Sequence, residues 1–224
     1  MKVIYKIVLV VGLGLFVMSG CFYGSFHTAE TVGPGCMQSG WYANFPVYPD
    51  VGVFHKSEEV HGGAYVVPNV GGFIEFGAAT GLDVGVRGNL GEGISVFSKI
   101  QVAKGAQMGV PLDAAVLGAI GYHPVALGMS GRAELIVSTP LSQYGTLYFG
   151  GMLLRSPDYR KVLAITKRLK LSEFRDFRLF PFVFSGIELR EGVIHQKVPF
   201  ILTIELGVPL HSYPPLFIGF QVKR

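Results

Sequence analysis

The stretch FIEFGAATGLDVGVRGN, residues 73–89, alternates on both sides of a small-residue centre. Ile74, Phe76, Leu82, Val84 and Val86 share one face, and Glu75, Gly77, Asp83, Gly85 and Arg87 share the other. A period of two is the mark of a strand with two unlike faces. A three-residue loop, Ala79-Thr80-Gly81, with Gly81 left-handed would hold that parity across a hairpin. It predicts Ala78 opposite Leu82, Phe76 opposite Val84 and Ile74 opposite Val86. In the next run Val96, Ile100 and Val102 oppose Phe97, Lys99 and Gln101, with Ser98 as the exception. A five-residue turn at 89–93 would then set Asp83 across from Lys99, an attractive cross-strand pair.

The same alternation extends outward along the chain. Ala133, Leu135 and Val137 oppose Arg132, Glu134 and Ser138. Ile187 and Leu189 oppose Glu188 and Arg190, while Leu202, Ile204 and Leu206 oppose Thr203, Glu205 and Gly207. Ile218, Phe220 and Val222 oppose Gly219, Gln221 and Lys223. Predicted strands are 36–46, 62–68, 71–78, 82–88, 94–103, 111–122, 130–138, 145–153, 160–168, 178–190, 198–208 and 215–223. The one competing helical stretch lies around 160–178. Many short strands at regular spacing predict an all-β chain, an antiparallel up-and-down barrel of about 10–12 strands. An even count puts both chain ends on one side.

Which face is wet decides the environment. Charged residues make up 15% of the chain, against about 25% in an ordinary soluble domain. A soluble exterior carries dense Lys and Glu, whereas a transmembrane barrel turns its apolar face to lipid and its polar face to the lumen. Charges confined in a narrow lumen need partners. Five acids, Glu75, Asp83, Glu134, Glu188 and Glu205, balance five bases, Arg87, Lys99, Arg132, Arg190 and Lys223. The pattern predicts a transmembrane barrel with a charge-paired lumen and a structural or narrow-pore role. The alternative is a periplasmic, lipid-anchored barrel or sandwich that binds an apolar ligand. The composition is too rich in apolar residues for disorder and has no dense basic patch for nucleic acid.

The N-terminus supplies the compartment. MKVIYK is a short basic segment, and residues 7–17 form an uncharged apolar run of eleven. A spanning helix needs roughly 20 residues, so the run matches a signal peptide instead. Met18-Ser19-Gly20-Cys21 follows. This order resembles the bacterial lipoprotein signal, with Met18 where the family has Leu. The resemblance implies cleavage before Cys21 and acylation (palmitate among the chains) of that cysteine. Without its first 20 residues, the chain loses Lys2 and Lys6 from its 19 basic residues and keeps 15 acidic ones, which leaves it near neutral. The tether-like HTAETVGPGCMQSGW and the hairpin EFGAATGLDVGVRGNL resemble small outer-membrane β-barrel proteins of the lipoprotein type. That resemblance implies an outer-membrane location and no specific activity. The chain ends in Arg224 instead of the usual terminal aromatic, with Phe220 four residues earlier. The predicted organisation is a signal peptide at 1–20, a tether at 21–35 and a barrel at 36–224.

Other constellations are weaker. HKSEEVH, 55–61, sits on a predicted loop that does not impose a metal geometry, and no metal or other cofactor is predicted. His123 and Ser130 are the only pair that suggests a membrane acyl hydrolase, but the sequence offers no orienting acid. The chain is therefore not predicted to be an enzyme. The run 158–178 carries Arg160, Lys161, Lys167, Arg168, Lys170, Arg175 and Arg178. It reads as a solvated loop, a surface helix at 168–177, or a cationic rim for lipid phosphates. Trp41, Tyr42, Phe45 and Tyr48 suit either an interfacial girdle or a core. Cys36 is expected to be a buried or lipid-facing thiol.

Overall fold

The computed structural model describes residues 25–49, 64–66, 69–89, 93–124, 126–143, 145–157, 177–190, 201–210 and 216–224. They form β1 (Met37–Pro49), β2 (Ala64–Val66), β3 (Asn69–Ala79), β4 (Leu82–Asn89) and β5 (Gly93–Ala103). A four-residue helix, α1 (Gly105–Met108), separates these from β6 (Asp113–His123), β7 (Gly128–Ser142) and β8 (Gly145–Pro157). The chain ends with β9 (Phe177–Leu189), β10 (Ile201–Pro209) and β11 (Leu216–Lys223). From β3 onward each strand pairs antiparallel with the next, and β11 returns to pair with β1. Both β2 and β3 pair with β1 in one unbroken register, Val47 facing Val66 and Asn44 facing Asn69. They are two pieces of one strand line. The sheet is thus a closed, antiparallel, ten-stranded barrel.

Strand parity follows the alternation in the sequence. Ile74, Ile94, Ile120 and Leu179 are each more than half exposed on the outer wall. Glu75, Ser95, Leu117 and Phe182 are buried inside. An exterior of Ile, Val, Leu and Phe is a surface for hydrocarbon, not water. A soluble carrier of an apolar ligand needs that face inside, and the structure turns it outward.

Three details differ from the sequence reading. Of the predicted strand 62–68, the described residues Ala64–Val66 continue the β3 line along β1 and are not a separate wall. In the first hairpin Ala79, not Ala78, pairs with Leu82, and the register shifts between Gly77 and Ala79. The turn is the two residues Thr80 and Gly81, with Gly81 at φ +76°, and the bulge absorbs the extra residue. The predicted strand 160–168 and helix 168–177 lie outside the described residues, apart from Phe177, which begins β9. The short α1 had no periodic signal; the Gly105 N–H donates to Asp113 Oδ1 at 2.7 Å.

Inside, large rings lie over glycines of the adjacent strand. Tyr42 covers Gly71, Phe97 covers Gly85, Tyr148 covers Gly186 and Phe217 covers Gly207. A side chain at any of these glycines would collide with the ring, so the glycines are sockets for aromatic packing. The β8–β9 side is an apolar core of Tyr148, Met152, Leu154, Phe180, Phe182 and Phe184.

The largest difference concerns the predicted tether. In its described part, residues 25–35, it does not hang outside the fold. Ser25, Phe26, His27, Thr28 and Ala29 are all buried within the barrel. Ala29 joins the core on the β8–β9 side, and Phe26 packs with Tyr42 and Phe73. The strap turns into β1 through Gly33 and Gly35, both at positive φ. There Gly35 N–H donates to Gly77 O, and Gly77 N–H donates to Cys36 O. A Cβ on Gly77 would overlap the Gly33 carbonyl. Gly77→Val should therefore force strap and wall apart and cost about 1–3 kcal/mol, read as a lower unfolding midpoint in detergent. An unchanged midpoint would show that the strap does not rest on Gly77.

Candidate functional site in the barrel lumen

Alternation along β3, β4 and β5 points Glu75, Asp83 and Lys99 into the lumen, and the register sets Asp83 directly opposite Lys99. Lys99 Nζ lies 3.0 Å from Glu75 Oε1 and 3.0 Å from Asp83 Oδ2. One ammonium thus bridges two carboxylates. The strap completes this cluster: Val32 N–H lies 3.1 Å from each oxygen of Asp83. His27 Nδ1 lies 3.9 Å from Glu75 Oε2. The imidazole sits beside Phe73 and Phe97, with ring centroids 6.2 and 5.3 Å away.

A second group lies on β9 and β11. Lys223 Nζ donates to Glu188 Oε2 at 2.6 Å, and Arg190 Nε lies 3.4 Å from Glu188 Oε1. Arg190 is the one member of the ten that is partly exposed, and its other partner is Glu30 of the strap. On β7 Arg132 Nη1 donates to Glu134 Oε1 at 2.8 Å, and Ser25 Oγ donates to Glu134 Oε2. Arg87 stands 5.1 Å from the Tyr42 ring centre, a cation–π contact.

Glu205 is held differently. Its carboxylate accepts the Ser25 and Phe26 amides and the Tyr148 hydroxyl, all at 2.7 Å. Among the described residues no cation pairs with it. Charge-assisted bonds from N–H and O–H groups replace the counter-ion. The five-against-five balance therefore does not resolve into five ion pairs. Lys99 serves two acids, Glu30 adds a sixth, and Glu205 is bound by the chain's own backbone.

The sequence reading missed Ser25, Phe26, His27, Glu30 and Tyr148. One signal was present: Phe22, Tyr23 and Phe26 are aromatics that a solvated tether has no use for. Cys36 is exposed, not buried, where the strap enters β1. Trp41 and Phe45 point outward, whereas Tyr42 is inside.

His123 and Ser130 both face inward on the paired strands β6 and β7. His123 Nδ1 accepts the Ala126 N–H at 2.9 Å. That bond leaves the proton on Nε2, the wrong tautomer for a base that takes a serine proton there. Cys21, the 55–61 histidine run and the bases Arg160, Lys161, Lys167, Arg168 and Lys170 lie outside the described residues.

No protein-family model matches the sequence, and no curated protein sequence matches it. Among solved structures the chain is similar to Ail, the attachment invasion locus protein of Yersinia pestis. The identity is 10%, the match covers 84% of this chain and 92% of that one, and the TM-score is 0.24. A score that low carries no argument, so the fold assignment rests on the closed strand pairing described above.

Proposed function

We propose that this chain is a lipid-anchored outer-membrane barrel, closed by its own N-terminal strap, with a structural and non-conducting role. One observation carries the reading: residues 25–32 run through the lumen, tied to Glu205 at one end and to Asp83 at the other. The ionic groups act as fasteners, because buried charges retained in ion pairs and hydrogen bonds resist separation. The apolar exterior and the lipoprotein-like signal support an outer-membrane location with Cys21 acylated. Arg160, Lys161, Lys167, Arg168 and Lys170 serve in this reading as a cationic rim for lipid phosphates.

The anchor is tested by palmitate labelling in a bacterium with an outer membrane. Wild type takes up label and Cys21→Ser does not. Closure is tested in planar bilayers. Wild type gives no stepwise conductance, and a variant lacking residues 25–33 gives steps. Steps of equal size from both proteins would sink the closed-barrel reading and favour a narrow pore around the strap.

A further inference from the structure

We infer that the outer wall holds one phospholipid at a fixed place, with its phosphate on Arg155 and an acyl chain in a groove across β3 to β6. This rests on the reading that the apolar wall faces lipid.

Arg155 is the exception on that wall. Register places every other charged residue of the described strands on the lumen side, including Asp113 opposite Ser138 and Arg178 opposite Ser156. Arg155 instead lies opposite Gly131 and Leu179 on the outer face, and it is exposed. Its guanidinium carbon stands 5.8 Å from the centre of the Phe177 ring, and among the described residues no carboxylate pairs with it. Stacking on a ring orients the guanidinium and leaves its N–H fork open to a bidentate acceptor. A charge on the lipid face of a barrel is costly at mid-membrane and nearly free at headgroup level. Arg155 is two residues from the end of β8, close to a rim. The anion within its reach there is a lipid phosphate.

The groove begins two strands away. Cross-strand partners lead from Arg155 to Gly131, Ile120, Val96, Val86 and Ile74. The row ends at Ser39, two residues from the start of β1. Arg155 is near the rim away from the chain termini, and Ser39 is near the rim where β1 starts. The row therefore crosses the wall obliquely, as an acyl chain descending from a headgroup does. Ile120, Val96, Val86 and Ile74 line a groove of about 880 Å³, inside the range of ligand clefts, about 300–1,000 Å³. Ser98, which breaks the apolar alternation of β5, pairs with Gly118, and the two small residues form the low part of the groove.

The outward glycines differ from the lumenal ones. A Cβ on Gly118 would meet nothing within 4 Å, and one on Gly131 only the Ala119 carbonyl oxygen at 3.6 Å. No ring of the protein covers either. Gly131 thus leaves an open step between the guanidinium and the groove. Glycine inside a strand marks a place where a ligand or another backbone comes close.

The test is native mass spectrometry of the full chain, delipidated in detergent and titrated with phosphatidylglycerol. Wild type should take up one lipid well before a second. Arg155→Gln should lower that affinity about ten-fold, the loss expected for a hydrogen bond to a charged group, and Arg155→Lys should recover part of it. Gly118→Phe, which fills the groove without touching Arg155, should lower it as well. Heat-modifiable migration shows that each variant is folded. Equal uptake by wild type and Arg155→Gln would overturn the site, as would equal uptake of a diacylglycerol with the same chains, which lacks the phosphate. A groove covered by a second copy would appear as a dimer that Gly118→Phe dissociates, and would also overturn it. A chain that stays folded and soluble without detergent would instead remove the membrane reading on which the site rests.

Discussion

Replacing Lys99 with methionine should cost about 3–5 kcal/mol of stability. The Lys99 ammonium lies 3.0 Å from both Glu75 and Asp83, and all three side chains are buried. Methionine fills nearly the same volume, so the loss reports charge and not a cavity. Two carboxylates would then share one low-dielectric site without a cation, which breaking a buried ion pair makes severe. Urea unfolding in detergent micelles measures it as a fall in midpoint. The triple variant Glu75→Gln, Asp83→Asn, Lys99→Met should recover most of the loss, because neutral groups of the same shape carry no uncompensated charge. A single variant within about 0.5 kcal/mol of wild type, the range of ordinary surface changes, would mean that the cluster is solvated.

Glu205→Leu should release the upper end of the strap. The substitution removes the acceptor for two amides and the Tyr148 hydroxyl together. Three buried donors left unpaired cost roughly 1–3 kcal/mol each. Detachment of the strap relieves part of that sum, since freed amides find water. The expected readout is therefore proteolysis within residues 25–32 of a barrel that otherwise remains folded, together with the appearance of conductance steps. Tyr148→Phe removes one donor and leaves both backbone bonds, so its strap should stay protected. Equal protection of the strap in Glu205→Leu and wild type would show that Glu205 does not hold it.

Much of the barrel was legible before any tertiary information. The alternation in 73–89 and its repeats placed the charged residues on one face and the aliphatic residues on the other. The pairings of Phe76 with Val84 and Asp83 with Lys99 follow from strand parity plus turn length. The miss at Ala78 shows the limit of such arithmetic. A bulge and a longer loop preserve the same parity, and only backbone geometry separates them. The strap was illegible for a stronger reason: it has no regular secondary structure between residues 25 and 33, so it leaves no period to read.

What the sequence by itself determined is the set of local properties: strand character, the face each side chain takes, the inward direction of the charges and the aliphatic exterior. These depend on a two-residue repeat and on turns of a few residues. What only the tertiary structure decided is what fills the lumen and which groups meet there. Ser25 and Glu205 are 180 positions apart, and they meet only because ten strands close at a diameter that admits one extended segment. Strand number and stagger set that diameter, and neither is written in any single stretch. The structure thereby turned an expected external tether into the innermost part of the molecule.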